Sequence, residues 1–231
     1  MPNVEIIPAI LPKSFRELTE HLELLRGVTR MVQIDVCDGL FVPSKTFPYI
    51  DREAFEPILL QEVGLPLWED FDFEIDLMVN DSQKDSQEWV RAGASRIVIH
   101  IESPDDRKAL EALQPLRDTY ATAVEVVLAI DLATPIERLE SLVPLGSAIQ
   151  CMGIAHDGFQ GQPFDKRAYE RVAEIKKLYP EHAISVDGGV NFEDAKKLID
   201  AGATRLIVGS ALFEGDAREN YNKFESIVNS R

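Results

Sequence analysis

Hydrophobic positions along the chain fall into short, nearly unbroken runs that alternate with stretches of helical period. The runs are "VEIIPAI" (4–10), "MVQIDVC" (31–37), "FDFEIDLMV" (71–79), "RIVIHI" (96–101), "VEVVLAI" (124–130), "SAIQCMGI" (147–154), "AISVD" (183–187) and "RLIVG" (205–209). Most lack polar alternation, which predicts strands covered on both faces. Between them, Phe15, Leu18, Leu22 and Leu25 make one apolar helical stripe, and Ala168, Val172, Ile175 and Tyr179 make another. Ser14 with Glu17, and Thr134 with Glu137, have capping-box spacing, and Pro104 and Pro135 sit where a first-turn proline belongs. Gly93 and Gly202, each in "AGA", are placed to end helices before the next strand. Eight strand-then-helix units predict an α/β fold, a single closed (β/α)8 TIM barrel spanning residues 1–231. An open doubly wound sheet is the alternative. It normally offers a glycine-rich fingerprint after its first strand, and "IPAILPKSF" has no glycine.

Composition narrows the function classes. The 231 residues are 45% hydrophobic and 28% charged, as in an ordinary soluble globular protein. A net charge of −16 opposes binding to nucleic acid or to an anionic membrane surface. A local pocket of backbone N–H groups can still take a small anion against that field. The start, "MPNVEIIPAILPKSF", has no signal-peptide pattern, and no apolar run approaches membrane-spanning length. Cys37 and Cys151 lie in strand-like runs without metal-type spacing, so both are expected to be buried free thiols in a cytoplasmic protein.

In such a barrel, chemistry belongs at the C-terminal ends of the strands. Gln33 and Asp35 end the second strand, Asp76 lies on the third, His100 and Glu102 end the fourth, and Asp187 ends the seventh. Side-chain alternation places Gln33 and Asp35 on one face, and Glu74 and Asp76 on one face. Asp35, Asp76 and Asp187 are therefore expected to converge on one mouth. A single strand-end carboxylate can equally cap a helix or bind loop N–H groups, but three at equivalent ends point to a site. His100 and Glu102 read as a structural pair or as catalytic groups. His21 and His182 look like surface residues, and His156 is an unassigned loop histidine. Glycine-rich turns follow the last three strands: "DGFQGQ" (157–162), "DGGVN" (187–191) and "GSALF" (209–213). Ordinary tight turns are one reading. The other is a phosphate site, which loops after the last strands and adjoining helix N-termini recurrently build in this barrel.

At this level of detail the chain resembles the ribulose-phosphate 3-epimerase family. The likeness rests on "IDVCDGLFVPS", "FEIDLMV", "IHIES", "GFQGQPF" and "ISVDGGVN", and runs from "IIPAIL" to "IVGSALF". It implies a ribulose-phosphate-binding barrel that inverts C3 of a pentulose phosphate. Two aspartates would act on opposite faces of the sugar, and a divalent metal would hold the enediolate. By this resemblance Asp35 and Asp187 are the acid/base pair and also touch the metal. The turns at Gly158, Phe159, Gln160 and Gly161, at Gly188 and Gly189, and at Gly209 and Ser210 match the phosphate cradle. Met78 and Met152 match apolar residues that line the reacting face.

The departures from the family fall at the same centre. Its metal site has histidine at the positions of Gln33 and Asp76, and its first strand has serine at the position of Ala9. Its phosphate loop has glycine where this chain has Gln160, and "AHDG" is one residue longer than the usual run. With Gln33, Asp35, Asp76 and Asp187 as ligands, every donor is a hard oxygen, which favours Mg²⁺ or Mn²⁺ over zinc. With no metal, the converging carboxylates would repel and raise at least one pKa, which suits a general acid. The expected activity is that of an isomerase, epimerising ribulose 5-phosphate or a related ketose phosphate at C3 through an enediolate. A non-catalytic phosphosugar-binding relative is the alternative. A lyase or decarboxylase ranks last, because that branch resembles an Asp-x-Lys-x-x-Asp pattern and "DLMVND" has no lysine in place. The expected partner is a small phosphorylated sugar, and the chain is expected to be a homo-oligomer.

Overall fold

The computed structural model describes residues 4–104, 124–155, 158, 159 and 161–230. Eight parallel strands close into one barrel in sequence order, with the last pairing back to the first. They are β1 (Glu5–Ile10), β2 (Met31–Cys37), β3 (Asp72–Met78), β4 (Arg96–His100), β5 (Glu125–Ile130), β6 (Ala148–Met152), β7 (Ala183–Asp187) and β8 (Arg205–Val208). Each coincides with one of the eight apolar runs. Around them lie α1 (Phe15–Leu25), α2 (Arg52–Leu59), α3 (Ser82–Arg91), α4 (Arg167–Leu178), α5 (Phe192–Ala201), α6 (Ser210–Phe213) and α7 (Ala217–Asn229).

Several helices, α1 and α5 among them, begin where short polar side chains satisfy their free N–H groups. The Ser14 hydroxyl accepts from the Glu17 N–H, and Asn191 accepts from Glu193 and Asp194. The Glu17 carboxylate reaches back one residue further than a capping box requires, to the Lys13 N–H at 2.7 Å. Leu18, Leu22 and Leu25 of α1, and Ala168, Val172 and Ile175 of α4, are buried against the outside of the barrel as their stripes require. One expectation fails. The helix read from Thr134 and Glu137 is instead two 3₁₀ turns, Ile136–Leu139 and Val143–Leu145, and the first has no side-chain cap. Pro144 explains the break, since a proline beyond the first turn removes an N–H and clashes with the preceding turn. The helix start expected at Pro104 runs into 105–123, outside the described residues.

The strands are covered on both faces, but by different things. Outside, Val32, Ile34, Ile75, Leu77, Ile97 and Ile99 join one large apolar cluster with the helices. Inside, Ile7, Ala9 and Ile207 form one small cluster, and Val98, Val127, Ala129, Ala148 and Met152 another. The rest of the interior is polar and still buried, including Gln33, Glu74, Asp76, Arg96, His100, Gln150 and Ser185. Buried polar groups persist only where they are bonded. At the N-terminal end of the barrel, Arg96 supplies the bonds, donating to Glu74 at 2.8 Å and Glu125 at 2.7 Å. Cys37 and Cys151 are free and buried, as expected. Among the described residues, no helix is long and apolar enough to cross a membrane.

Candidate active site

At the C-terminal end of the barrel, β2, β3 and β7 each contribute a carboxylate. Asp35 and Asp76 are direct register partners, and oxygens of Asp35, Asp76 and Asp187 lie within 4.8 Å of one another. Gln33 Nε2 donates to Asp35 Oδ1 at 2.8 Å and to Asp187 Oδ2 at 2.7 Å. Gln150 Nε2 donates to Asp76 Oδ2 at 2.9 Å and to Asp187 Oδ2 at 3.4 Å. The other oxygen of Asp76 lies 2.8 Å from His100 Nε2. Asp76 is fully buried, whereas Asp35 is 8% and Asp187 9% exposed, and both line a cleft. Asp35 Oδ2 and Asp187 Oδ1 accept no side-chain hydrogen bond among the described residues. These two carboxylates can reach a ligand, and Asp76 stands behind them.

The electrostatics follow from that crowding. Burial raises the pKa of Asp35 well above the usual carboxylate range; the charges of Asp187 and Asp76 add to it, and the Gln33 bond opposes it. Asp187 is pushed up to about 8, by burial first and then by Asp76, again against Gln33. An ordinary aspartate, with a pKa of about 3.9, is a poor base for a proton beside a ketone, and both shifts improve the match.

The cleft is completed by Met78 and Met152 and by the glycine turns. Gly158, Phe159 and Gly161 line it from beyond β6, Gly188 and Gly189 from beyond β7, and Gly209 and Ser210 from beyond β8. Ala9 also lines it, and Gln160 lies outside the described residues, as does His156. Every described residue expected to touch substrate thus faces one cleft, with Gln33 and Asp76 beneath it. Gly189 is required by its geometry: its φ is +68°, and a Cβ there would meet the Phe164 N and Cα at 2.8 Å. The N–H groups of Gly189, Ser210 and Ala211 donate to no backbone or side-chain oxygen among the described residues.

Other expected polar residues take structural places. Asp38 accepts from the Leu40 and Phe41 N–H groups at 2.7 and 2.9 Å and from Asn80 at 2.7 Å, so it ties down the loop after β2. Glu102 accepts from the Asp131 N–H at 2.9 Å. His100, Glu102 and Asp131 also form a second group of ligand atoms within 4.8 Å. His21 and His182 are half-buried rather than on the surface, because each ring packs edge-on against an aromatic, Phe213 and Tyr179. Gln150 escaped the sequence reading. Its signal was present, since it precedes Met152 by two residues just as Gln33 precedes Asp35.

The sequence profile described as the Ribulose-phosphate 3 epimerase family matches residues 5–213. The chain belongs to the ribulose-phosphate 3-epimerase family. A ribulose-phosphate 3-epimerase of Chlamydia pneumoniae is 32% identical over 204 residues, covering 86% of this chain and 82% of its own. The chloroplastic ribulose-5-phosphate-3-epimerase of Arabidopsis thaliana is 26% identical over 216 residues, covering 91% of this chain and 72% of its own. In three dimensions, 3-hexulose-6-phosphate synthase from Salmonella typhimurium matches with a TM-score of 0.72 at 15% identity, over 97% of this chain and 98% of its own. That likeness is one of fold. The donors at the cleft end of β2, β3, β6 and β7 are carboxylates and amides. Three carboxylate oxygens within 4.8 Å are hard donors at a spacing one divalent cation could use, but the NH₂ groups of Gln33 and Gln150, not their carbonyls, face them.

Proposed function

We propose that this epimerase-family chain inverts C3 of a ketose phosphate, ribulose 5-phosphate or a near relative, with Asp35 and Asp187 as the acid/base pair. The observation that carries this reading is the pair itself: two raised carboxylates bridged by Gln33, each with an open oxygen in one cleft. Two buried carboxylates with oxygens within 4.8 Å resist holding two charges, so one keeps a proton while the other acts as base. The ionised partner takes the C3 proton, and the electron pair of the broken C–H bond moves into the enediolate. The protonated partner then delivers its proton to the opposite face of C3, and the new C–H bond has inverted configuration. Met78 and Met152 present apolar, polarizable surface that keeps water from the intermediate. The open N–H groups of Gly189, Ser210 and Ala211 would bind the phosphate, locally opposing the chain's net charge of −16. Were a divalent cation to displace the amide donors, Asp35, Asp76 and Asp187 would hold it and it would supply Lewis-acid stabilisation, the oxygen donor set favouring Mg²⁺ or Mn²⁺ over zinc; the proton transfers assigned to Asp35 and Asp187 do not require it.

Residues 1–231 would act as one catalytic domain in a homo-oligomer. The test is isotope exchange. In D₂O the protein should wash deuterium into C3 of ribulose 5-phosphate, and Asp187→Asn should slow this by about 10²- to 10⁴-fold while the sugar phosphate still binds. Binding of sugar phosphates with no exchange, with or without Mg²⁺ or Mn²⁺, would instead identify a non-catalytic relative.

A further inference from the structure

Three carboxylates this close and this buried need compensation, because like charges repel strongly away from water. Among the described residues no lysine or arginine supplies it. The donors are the Gln33 and Gln150 amides, and the His100 ring nitrogen lies against Asp76. Gln33 ties Asp35 to Asp187, and Gln150 ties Asp187 to Asp76, so the two amides link all three carboxylates.

Both glutamines point their nitrogen at the carboxylates and their carbonyl away. Gln33 Oε1 and Gln150 Oε1 are buried and accept no hydrogen bond. A glutamine that ligates a cation presents its oxygen, not its NH₂ group. A buried carbonyl left without a partner is unfavourable, so the gain at the nitrogen end must hold each amide in this orientation. The same two side chains therefore stand where a cation would have to be approached, with the wrong atom forward for binding it.

We propose that Gln33 and Gln150 form a built-in substitute for the cation, an amide clamp that cross-links Asp35, Asp76 and Asp187 and holds them without a divalent ion. A cation would have to share Asp35 and Asp187 with the Gln33 amide and take Asp76 from Gln150 or His100, so the native protein binds one weakly. The part that concerns catalysis rests on reading Asp35 and Asp187 as the acid/base pair, whereas the part that concerns binding does not.

Mn²⁺ titration, followed by the electron paramagnetic resonance of the free ion, separates the clamp from an oxygen-ligand role for Gln33. For the clamp, native protein shows no stoichiometric Mn²⁺ at micromolar concentration. Gln33→Leu and Gln150→Leu, checked for folding by circular dichroism, bind Mn²⁺ about tenfold more tightly or better, the scale on which neighbours of a metal site act. Stoichiometric Mn²⁺ in the native protein, or unchanged or weaker binding in a folded variant, overturns the clamp. If the variants do not fold, the native titration still decides, together with a second measurement on native protein. After exhaustive chelation with residual metal measured, deuterium exchange should stay within about twofold of its rate with Mg²⁺ or Mn²⁺, a difference too small to reflect a lost ligand. Exchange that vanishes on chelation and returns with Mn²⁺ overturns the clamp. Absence of exchange under every condition defeats the epimerase reading alone and leaves the titration to judge the clamp.

Discussion

Replacing Gly189 with alanine tests whether the turn after β7 grips the phosphate. Two effects add at this position. The residue has a φ of +68°, a left-handed conformation that costs a residue with a Cβ about 1–2 kcal/mol. The new Cβ would also lie 2.8 Å from the Phe164 N and Cα and 3.1 Å from the Gln162 carbonyl, all backbone atoms that cannot rotate aside. Relief requires the two chain segments to part, and overpacking of that kind costs about 1–3 kcal/mol. Gly189→Ala should therefore lose about 2–5 kcal/mol of stability in urea unfolding. Gly93→Ala is the control. Its φ is +104° with nothing within 4 Å of the added Cβ, and it lies after α3, away from the cleft. It should lose only about 1–2 kcal/mol. Calorimetric titration with ribulose 5-phosphate reads the functional half. Parting the segments moves the Gly189 N–H, so affinity should fall about tenfold or more, or roughly 1.4 kcal/mol, in Gly189→Ala and stay unchanged in Gly93→Ala. If Gly189→Ala binds like the native protein despite its lower stability, the turn is not the phosphate cradle. If it is no less stable than Gly93→Ala, the contact with Phe164 has no resistance and the steric argument fails.

The ion network at the other end gives a second test. Arg96→Met strands the fully buried Glu74, and urea unfolding at pH 8 should show a loss of about 3–5 kcal/mol, part of it recovered in the Glu74→Leu/Arg96→Met pair. A loss under about 1 kcal/mol would place the network with ineffective surface pairs. A third test uses pH. Asp85 accepts from the Tyr49 hydroxyl at 2.6 Å, and burial pushes it from 3.8 up to about 6. The folded protein holds this proton more tightly than the unfolded chain. The resulting stability is complete below pH 3.8 and lost as pH rises through about 6. Asp85→Asn has no such proton, so across that span it should gain about 3 kcal/mol relative to the native protein. A constant difference between the two proteins would show that Asp85 ionises freely.

The strands were legible because both of their faces are buried, which leaves a run such as "RIVIHI" with no alternation to confuse it. The segment after β5 was not, because Thr134 and Glu137 give only a local start signal. Its fate is decided by Pro144, downstream of that signal. The site divides in the same way. Asp35 and Asp187 stood out as carboxylates ending apolar strands. Gln150 was hidden. Its partner Asp76 is 74 positions away, across the barrel, and no local spacing encodes that pairing. Arg96 and Glu125 were hidden likewise, since at strand starts they look like flanking charges until the closed sheet turns them toward one another.

The two ends of the barrel bury carboxylates by different means, and the difference bears on why glutamines occupy the catalytic end. At the N-terminal end, guanidinium groups do the pairing, Arg96 and Arg205 both meeting Glu5 and Glu125. Burial pushes Glu125 up, yet its bonds to Arg205 and Arg96 outweigh that and leave its pKa below the ordinary value. A carboxylate held that way accepts protons poorly. A guanidinium at the position of Gln33 would act alike on Asp35 and Asp187 and remove the basicity that abstraction of a C3 proton demands. An amide donates hydrogen bonds without carrying a full charge, so it fixes the carboxylates in place and leaves them raised, Asp187 to about 8. A neutral donor thus suits the proposed acid/base pair, carboxylates that stay together and still exchange protons.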